Sequence, residues 1–180
     1  MANTAATSPG TMADDATVGT VAWSNPDNAK VSDNAYATYT TTFTTRTTHY
    51  LKATNFGFSI PTGATINGIL VEVERKYSGN GVADGPLGNA IIKADGTLTS
   101  GASYVGWSTT EQYDSYGGST DLWGETWTAE DINDVDFGFA MYAVINGNFD
   151  SGGATASVDH IRTTIYYTAG ATANTTNFFF

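Results

Sequence analysis

This sequence predicts an all-β fold: a jelly-roll-like β-sandwich with one short helix and extended terminal arms. Three observations carry that expectation. Residues 51–77 (LKATNFGFSIPTGATINGILVEVERKY) alternate apolar and polar positions on both sides of a Pro-Gly break, the period-two signature of half-buried strands. About eight or nine β-rich runs recur along the chain, separated by clusters of Gly, Asn, Asp and Pro. Helix-start chemistry is found at Thr128–Asp131, close to a capping box.

In chain order, residues 1–16 are small and polar without periodicity. They read as an N-terminal arm, disordered or ordered only against a neighbour. Residues 18–23 (VGTVAW) predict a short first strand, and 24–34 (SNPDNAKVSDN) a turn region. Residues 35–45 (AYATYTTTFTT) predict a strand with a wet, Thr-rich side. In 51–77, Phe56, Phe58 and Ile60 face one way, Pro61 and Gly63 make the turn, and Ile69, Val71 and Val73 oppose Glu72 and Glu74. This unit reads as a hairpin of two long strands. Residues 78–88 predict a Gly-rich loop, and 89–99 a hairpin around Asp95-Gly96. Residues 100–120 read as an aromatic loop region with one short strand at 104–107. A helix over about 129–134 follows, with Thr128 as cap and Asp131 reaching back. Residues 137–145 (FGFAMYAVI) are apolar on both faces and predict a central, doubly covered strand; 154–168 predict the last long strand. The organisation is thus an arm at 1–16, a sandwich domain at 17–168 and a Phe-ended tail at 169–180.

A chain of 180 residues buries about 70% of its unfolded surface, enough for a core without covalent staples. There are no cysteines, so no disulfide contributes and the redox compartment stays open. Seven basic residues against eighteen acidic give a net charge of −11. That balance argues against nucleic acid and against an anionic membrane surface, both of which need a basic face. Charged residues make up 14% of the chain, well under the usual quarter, and Thr, Asn, Ser and Gly take their place. No stretch approaches 18 apolar residues, so no membrane-spanning helix is expected. The first residues lack the basic and apolar regions of a secretory signal.

Several groups are candidates for chemistry. His49 and His160 are the two histidines; a Ser-His-Asp triad through His160 is weighed against a structural histidine, with Asp159 expected on the opposite face of its strand. Glu72 and Glu74 lie roughly 7 Å apart on one strand face, within the range of a glycosidase pair, against a solvated face near Arg75 and Lys76. Asp14, Asp15, Asp27, Asp33, Asp114 and Asp121 sit in turn-rich segments and are candidate oxygen donors for calcium, the one cofactor weighed, although no D-x-D-x-D-G loop is present to assign ligands. Tyr104, Trp107, Tyr113, Tyr116, Trp123 and Trp127 fall within 24 residues, as a sugar-stacking platform or as an apolar lid on the sandwich. Phe178, Phe179 and Phe180 end a Thr/Asn tail. Burying one Phe contributes about 1.5–3 kcal/mol, whereas ordering each tail residue costs about 1–2 kcal/mol. The tail therefore needs a pocket, such as one on another subunit, to become ordered; it reads as an assembly anchor, with a frayed end as the alternative.

Five linked stretches carry a resemblance: ADDATVGTVAWSNPDNA, DNAYAT, LKATNFGFSIPTGATINGILVEVERK, YGGSTDLWGETWTAEDINDVDFGFAMYA and ASVDHIRTTIYYT. Across most of residues 13–168 they resemble a β-sandwich domain of tailed-phage virion structural proteins. The resemblance implies a sandwich on a phage particle and transfers no catalytic residues. The expected function is thus a non-enzymatic capsid decoration or appendage component, made in the host cytoplasm and resident in the virion. Its expected partners are copies of itself or neighbouring virion proteins. The alternative is a carbohydrate-binding module that attaches to host-surface glycans through the aromatic loops.

Overall fold

The computed structural model describes residues 1–42, 44–101, 105–146 and 153–170. Phe178, Phe179, Phe180 and Tyr104 lie outside the described residues. Two five-stranded antiparallel sheets form a sandwich. The first holds β1 (Ala2–Asn3), β3 (Ala37–Thr41), β6 (Thr65–Gly79), β8 (Gln112–Gly117) and β10 (Ala154–Thr168). The second holds β2 (Thr11–Asp15), β4 (Arg46–Thr47), β5 (Tyr50–Thr54), β7 (Val82–Ile92) and β9 (Gly138–Ile145). Apart from β4 and β5, which both pair with β9, consecutive strands lie in opposite sheets. This winding is jelly-roll-like, and it explains why local alternation misleads about hairpins. Among the described residues no helix is long and apolar enough to cross a membrane.

The 51–77 unit is a sheet-to-sheet crossover, not a hairpin. Its first part, β5, pairs with β2 and β9, and its second, β6, pairs with β8 and β10. The alternating Phe56, Phe58 and Ile60 are buried, but they belong to no strand. Asn55 (φ 57°) and Gly57 (φ 68°) take left-handed conformations that break a ladder. The backbone groups are satisfied by a side chain instead. Asn133 Oδ1 accepts from Ile60 N at 2.7 Å, and Asn133 Nδ2 donates to Ile60 O at 2.9 Å. Asn133 ends the helix α1 (Ala129–Asn133), whose cap forms as the sequence predicts. Asp131 N donates to Thr128 Oγ1 at 3.1 Å, and Thr128 N donates to Asp131 Oδ2 at 2.8 Å.

Residues 1–16 are not a free arm. β1 pairs with the end of β10, Thr7 bridges to Thr163, and β2 pairs with β5 in the other sheet. One terminal segment therefore laces both sheets. Short, polar and β-branched residues satisfy a ladder with little apolar periodicity, so hydrophobic pattern alone does not find them. Residues 18–23 make one isolated bridge, Val21 to Thr48, rather than a strand, although Trp23 is buried with its Nε1 donating to His49 O at 2.9 Å. The supposed loop at 78–88 is largely strand, with an irregularity between Asp84 and Asn89. The Asp95-Gly96 turn is present: Lys93 N donates to Thr97 O at 2.8 Å, and Asp95 Oδ1 accepts from Thr97 N.

The core lies between Ile69, Val71, Val73, Val158, Ile161 and Ile165 of the first sheet and Leu51, Ile91, Phe139, Met141 and Ile145 of the second. Asn89 intrudes on it. The residue is fully buried opposite Met141, and among the described residues neither its Oδ1 nor its Nδ2 has a hydrogen-bond partner. A buried orphan amide costs about 1–3 kcal/mol. The near-isosteric Asn89→Leu is expected to raise the unfolding free energy by about 1 kcal/mol or more, read as an increased urea midpoint at unchanged slope.

Candidate functional site

The period-two series Ile69, Val71, Val73 continues on the core face to Arg75, which is completely buried. A guanidinium there requires counter-charges. Asp114 on the neighbouring β8 accepts from Arg75 Nε at 2.7 Å, and Asp84 on β7 of the opposite sheet accepts from Nη1 and Nη2. Asp84 is itself buried, and its remaining lone pairs take donors from the aromatic region. Trp107 Nε1 donates to Oδ1 at 2.9 Å; Tyr116 O–H donates to Oδ2 at 2.7 Å; Val105 N donates to Oδ2 at 3.0 Å. The Arg75 guanidinium lies 4.4 Å from the Trp107 ring centroid and 5.4 Å from that of Tyr116. Burial pushes the Tyr116 hydroxyl well above its ordinary range, which keeps it a donor.

These contacts change the reading of the aromatic cluster. Trp107, Tyr116 and Trp123 are buried, and Tyr113 and Trp127 are half-buried, so these five described rings form no open platform. Their polar atoms are committed inward: Trp123 Nε1 donates to Ile69 O at 3.1 Å, and Trp127 Nε1 to Leu122 O at 2.9 Å. What remains is a groove of about 520 Å³ beside the edge strand β8. Tyr116 and Trp123 line it, with Ser100, Ser115 and Asp121 as polar wall. Trp123 has φ 58°, unusual for a bulky side chain. Asp121 Oδ1 holds its amide at 2.8 Å. Gly117 (φ 73°) admits this packing, since a Cβ there would come within 2.6 Å of Trp123 Nε1 and 2.3 Å of Ile69 O.

A second polar cluster covers the outer face of the first sheet. Here β10 carries an irregularity between Val158 and His160. A bulge turns Asp159 to the same side as His160, where simple alternation predicts opposite faces. His160 Nε2 lies 2.8 Å from Ser8 Oγ and its Nδ1 2.9 Å from the Tyr113 hydroxyl. Burial holds the imidazole below its ordinary pKa, so it is neutral at pH 7. Asp159 accepts from Asp33 N and Asn34 N, and burial raises its pKa. One oxygen each of Glu74, Glu111 and Asp159 lie within 4.8 Å of one another. Lys76 Nζ donates to Glu111 at 3.2 Å and to the Tyr36 hydroxyl at 2.7 Å. Glu72 is engaged bidentately by Arg162, at 2.8 and 2.9 Å. The Glu72/Glu74 face is therefore partly buried rather than wet: Glu72 is paired with Arg162, whereas Glu74 Oε2 is buried with no hydrogen-bond partner among the described residues.

The aspartates expected to donate to calcium do not converge. Asp14 accepts from His49 Nδ1 and Trp23 N, Asp15 from Thr17 and Lys52, Asp27 from Lys30, and Asp33 from Ala35 N. Asp114 and Asp121 have the roles described above. The residues that do converge, Glu74, Glu111 and Asp159, come from three strands or loops far apart in sequence, which a scan for spaced ligands does not reveal. Arg75 was detectable as a charge on the apolar face of a strand; Asp84 carried no local signal. No family model, curated protein or solved structure matches this chain.

Two outcomes follow. Arg75→Met leaves Asp84 and Asp114 buried without a counter-charge and is expected to lower the unfolding free energy by about 3–5 kcal/mol, measured by urea denaturation. The His160 pKa is depressed in the folded state, so the unfolded chain binds the extra proton. Its contribution is full above about pH 6.5 and is lost as pH falls through that value. Asp159, raised by burial, runs the opposite way at lower pH. The urea midpoint should fall between pH 7.5 and pH 5.5, and His160→Gln should flatten that slope.

Proposed function

We propose that this chain is a non-enzymatic structural protein of a virion, a capsid decoration or appendage component made in the host cytoplasm. The observation that carries this reading is the lacing of residues 1–15 across both sheets, through β1 and Thr7 on β10 and through β2 on β5. To open the sandwich, that segment must be stripped from two sheets at once. The chain has no cysteine, so this lacing takes the part that disulfides play in many exposed β-proteins. The linked motifs that resemble phage virion sandwiches support the same reading. So does a surface rich in Thr, such as the cross-strand pair Thr40–Thr155, hydroxyls 2.8 Å apart.

Assembly on this reading uses Phe178, Phe179 and Phe180, which need an apolar pocket on another copy or a neighbouring virion protein. The net charge of −11 directs assembly toward protein surfaces rather than nucleic acid. Sedimentation velocity at micromolar concentration is expected to show an oligomer for the full chain and a monomer after deletion of residues 171–180. A monomer in both cases, together with absence of the protein from purified particles, would overturn the reading.

A further inference from the structure

We infer that Ser8 is an activated nucleophile, a site that takes up an acyl group from an activated carboxylic ester. Its Oγ lies 2.8 Å from His160 Nε2, and His160 Nδ1 lies 2.9 Å from the Tyr113 hydroxyl. A hydroxyl within reach of an imidazole that a third group orients is the arrangement that activates serine nucleophiles. The third member here is Tyr113, whereas Asp159 is engaged by the amides of Asp33 and Asn34. Ser8 is exposed, while His160 is only 8% exposed. The serine is also held in place. Thr7 exchanges two hydrogen bonds of 2.9 Å with Thr163, Pro9 is buried, and Gly10 N donates to Asn55 O at 2.8 Å. An anchored hydroxyl loses less freedom on reaction than one on a loose arm.

The protons available fix the direction of this chain. The imidazole is neutral at pH 7, so one ring nitrogen carries a proton and the other a lone pair. Tyr113 has one hydroxyl proton, and Glu74 accepts it; burial and then this hydrogen bond raise the Tyr113 pKa. The Tyr113 oxygen therefore accepts from Nδ1–H, which leaves the lone pair on Nε2, facing the Ser8 hydroxyl. No further reactant is needed. Ser8 Oγ bonds to the ester carbonyl carbon as its proton passes to Nε2. The tetrahedral adduct then expels the oxygen of the leaving alcohol, Nε2 returns the proton to that oxygen, and the acyl group stays on Oγ as an ester. Burial opposes the transient imidazolium, and Glu74 and Glu72 favour it. Arg162, two residues along β10, lies 3.9 Å over the Tyr113 ring, and its Nη1 has no hydrogen-bond partner among the described residues. It puts a positive charge on the face where the oxyanion forms. Uptake is stoichiometric, so it goes beyond the structural reading and is compatible with it.

The test treats the full 180-residue chain with p-nitrophenyl acetate and identifies the acetylated residues by peptide mass spectrometry. Ser8 is expected to react at least about a hundredfold faster than Ser24 and Ser119, two exposed serines of the same molecule. Its rate should rise with pH and level off near neutrality once His160 has lost its proton, whereas an unactivated serine keeps rising with hydroxide. That profile needs no variant. His160→Gln keeps a polar group beside Ser8 but supplies no base, and should bring Ser8 down to the rate of Ser24. Tyr113→Phe keeps the ring under Arg162, removes the orienting oxygen, and should slow Ser8 about tenfold or more. The inference is overturned if Ser8 reacts no faster than Ser24 and Ser119, if its rate shows no plateau, or if a folded His160→Gln retains the wild-type rate.

Discussion

Arg75 is the residue on which this sandwich turns. It occupies a core position of β6 with no exposure to water, and a charge so placed is tolerated only when fully paired. One partner, Asp114, comes from the adjacent strand; the other, Asp84, comes from the opposite sheet. The requirement is one of register. A slip of one residue in β6 would carry Arg75 to the outer face and leave two carboxylates buried without a counter-ion. Apolar packing tolerates small adjustments, whereas a buried ion pair with fixed donor directions selects one alignment of the two sheets.

The position of the aromatic loops follows from the same pair. Once Asp84 is buried, its lone pairs need donors, and Trp107, Tyr116 and the Val105 amide supply them. The rings are pulled in by their polar ends and fill the sandwich edge with their apolar bodies. The groove is what remains between these anchored rings and the 121–124 turn. Desolvation of one guanidinium thus reaches through Asp84 to the shape of a surface feature.

The outer face of the first sheet shows a different way to bury polar groups. The N-terminal segment and the loop at 30–36 pair with the free edge of β10 through Thr7 and Lys30 and reach over its outer face through Ser8, Asp33 and Asn34, so that strand is buried on both faces despite its His, Asp, Ser and Thr residues. Ser8, Asp33 N, Asn34 N and Tyr113 satisfy the side chains beneath. The bulge before His160 allows Asp159 to meet the loop amides. A sheet read from sequence as one wet face and one dry face is here two covered faces, one apolar and one polar.

The sequence by itself determined the all-β class, the helix cap at Thr128/Asp131, the Asp95-Gly96 turn and most core positions of β6, β9 and β10. Each depends on neighbours within a few residues: side-chain period, turn angles or a capping reach. Arg75 shares the parity of Val71 and Val73, yet the sequence reads it beside the solvated Glu72/Glu74 face; only the tertiary structure shows it buried with Asp84 and Asp114. Only the tertiary structure decided that 51–77 crosses between sheets, since period two says which face a residue uses but not which strand lies beside it. The same holds for the lacing by residues 1–16, the pairing of Ile60 with Asn133, and the meeting of Glu74, Glu111 and Asp159. The aromatic cluster divides along this line. Its crowding is visible in the chain, but whether rings face out or in depended on Asp84, which sits more than twenty residues before Trp107 and in the opposite sheet from Tyr116.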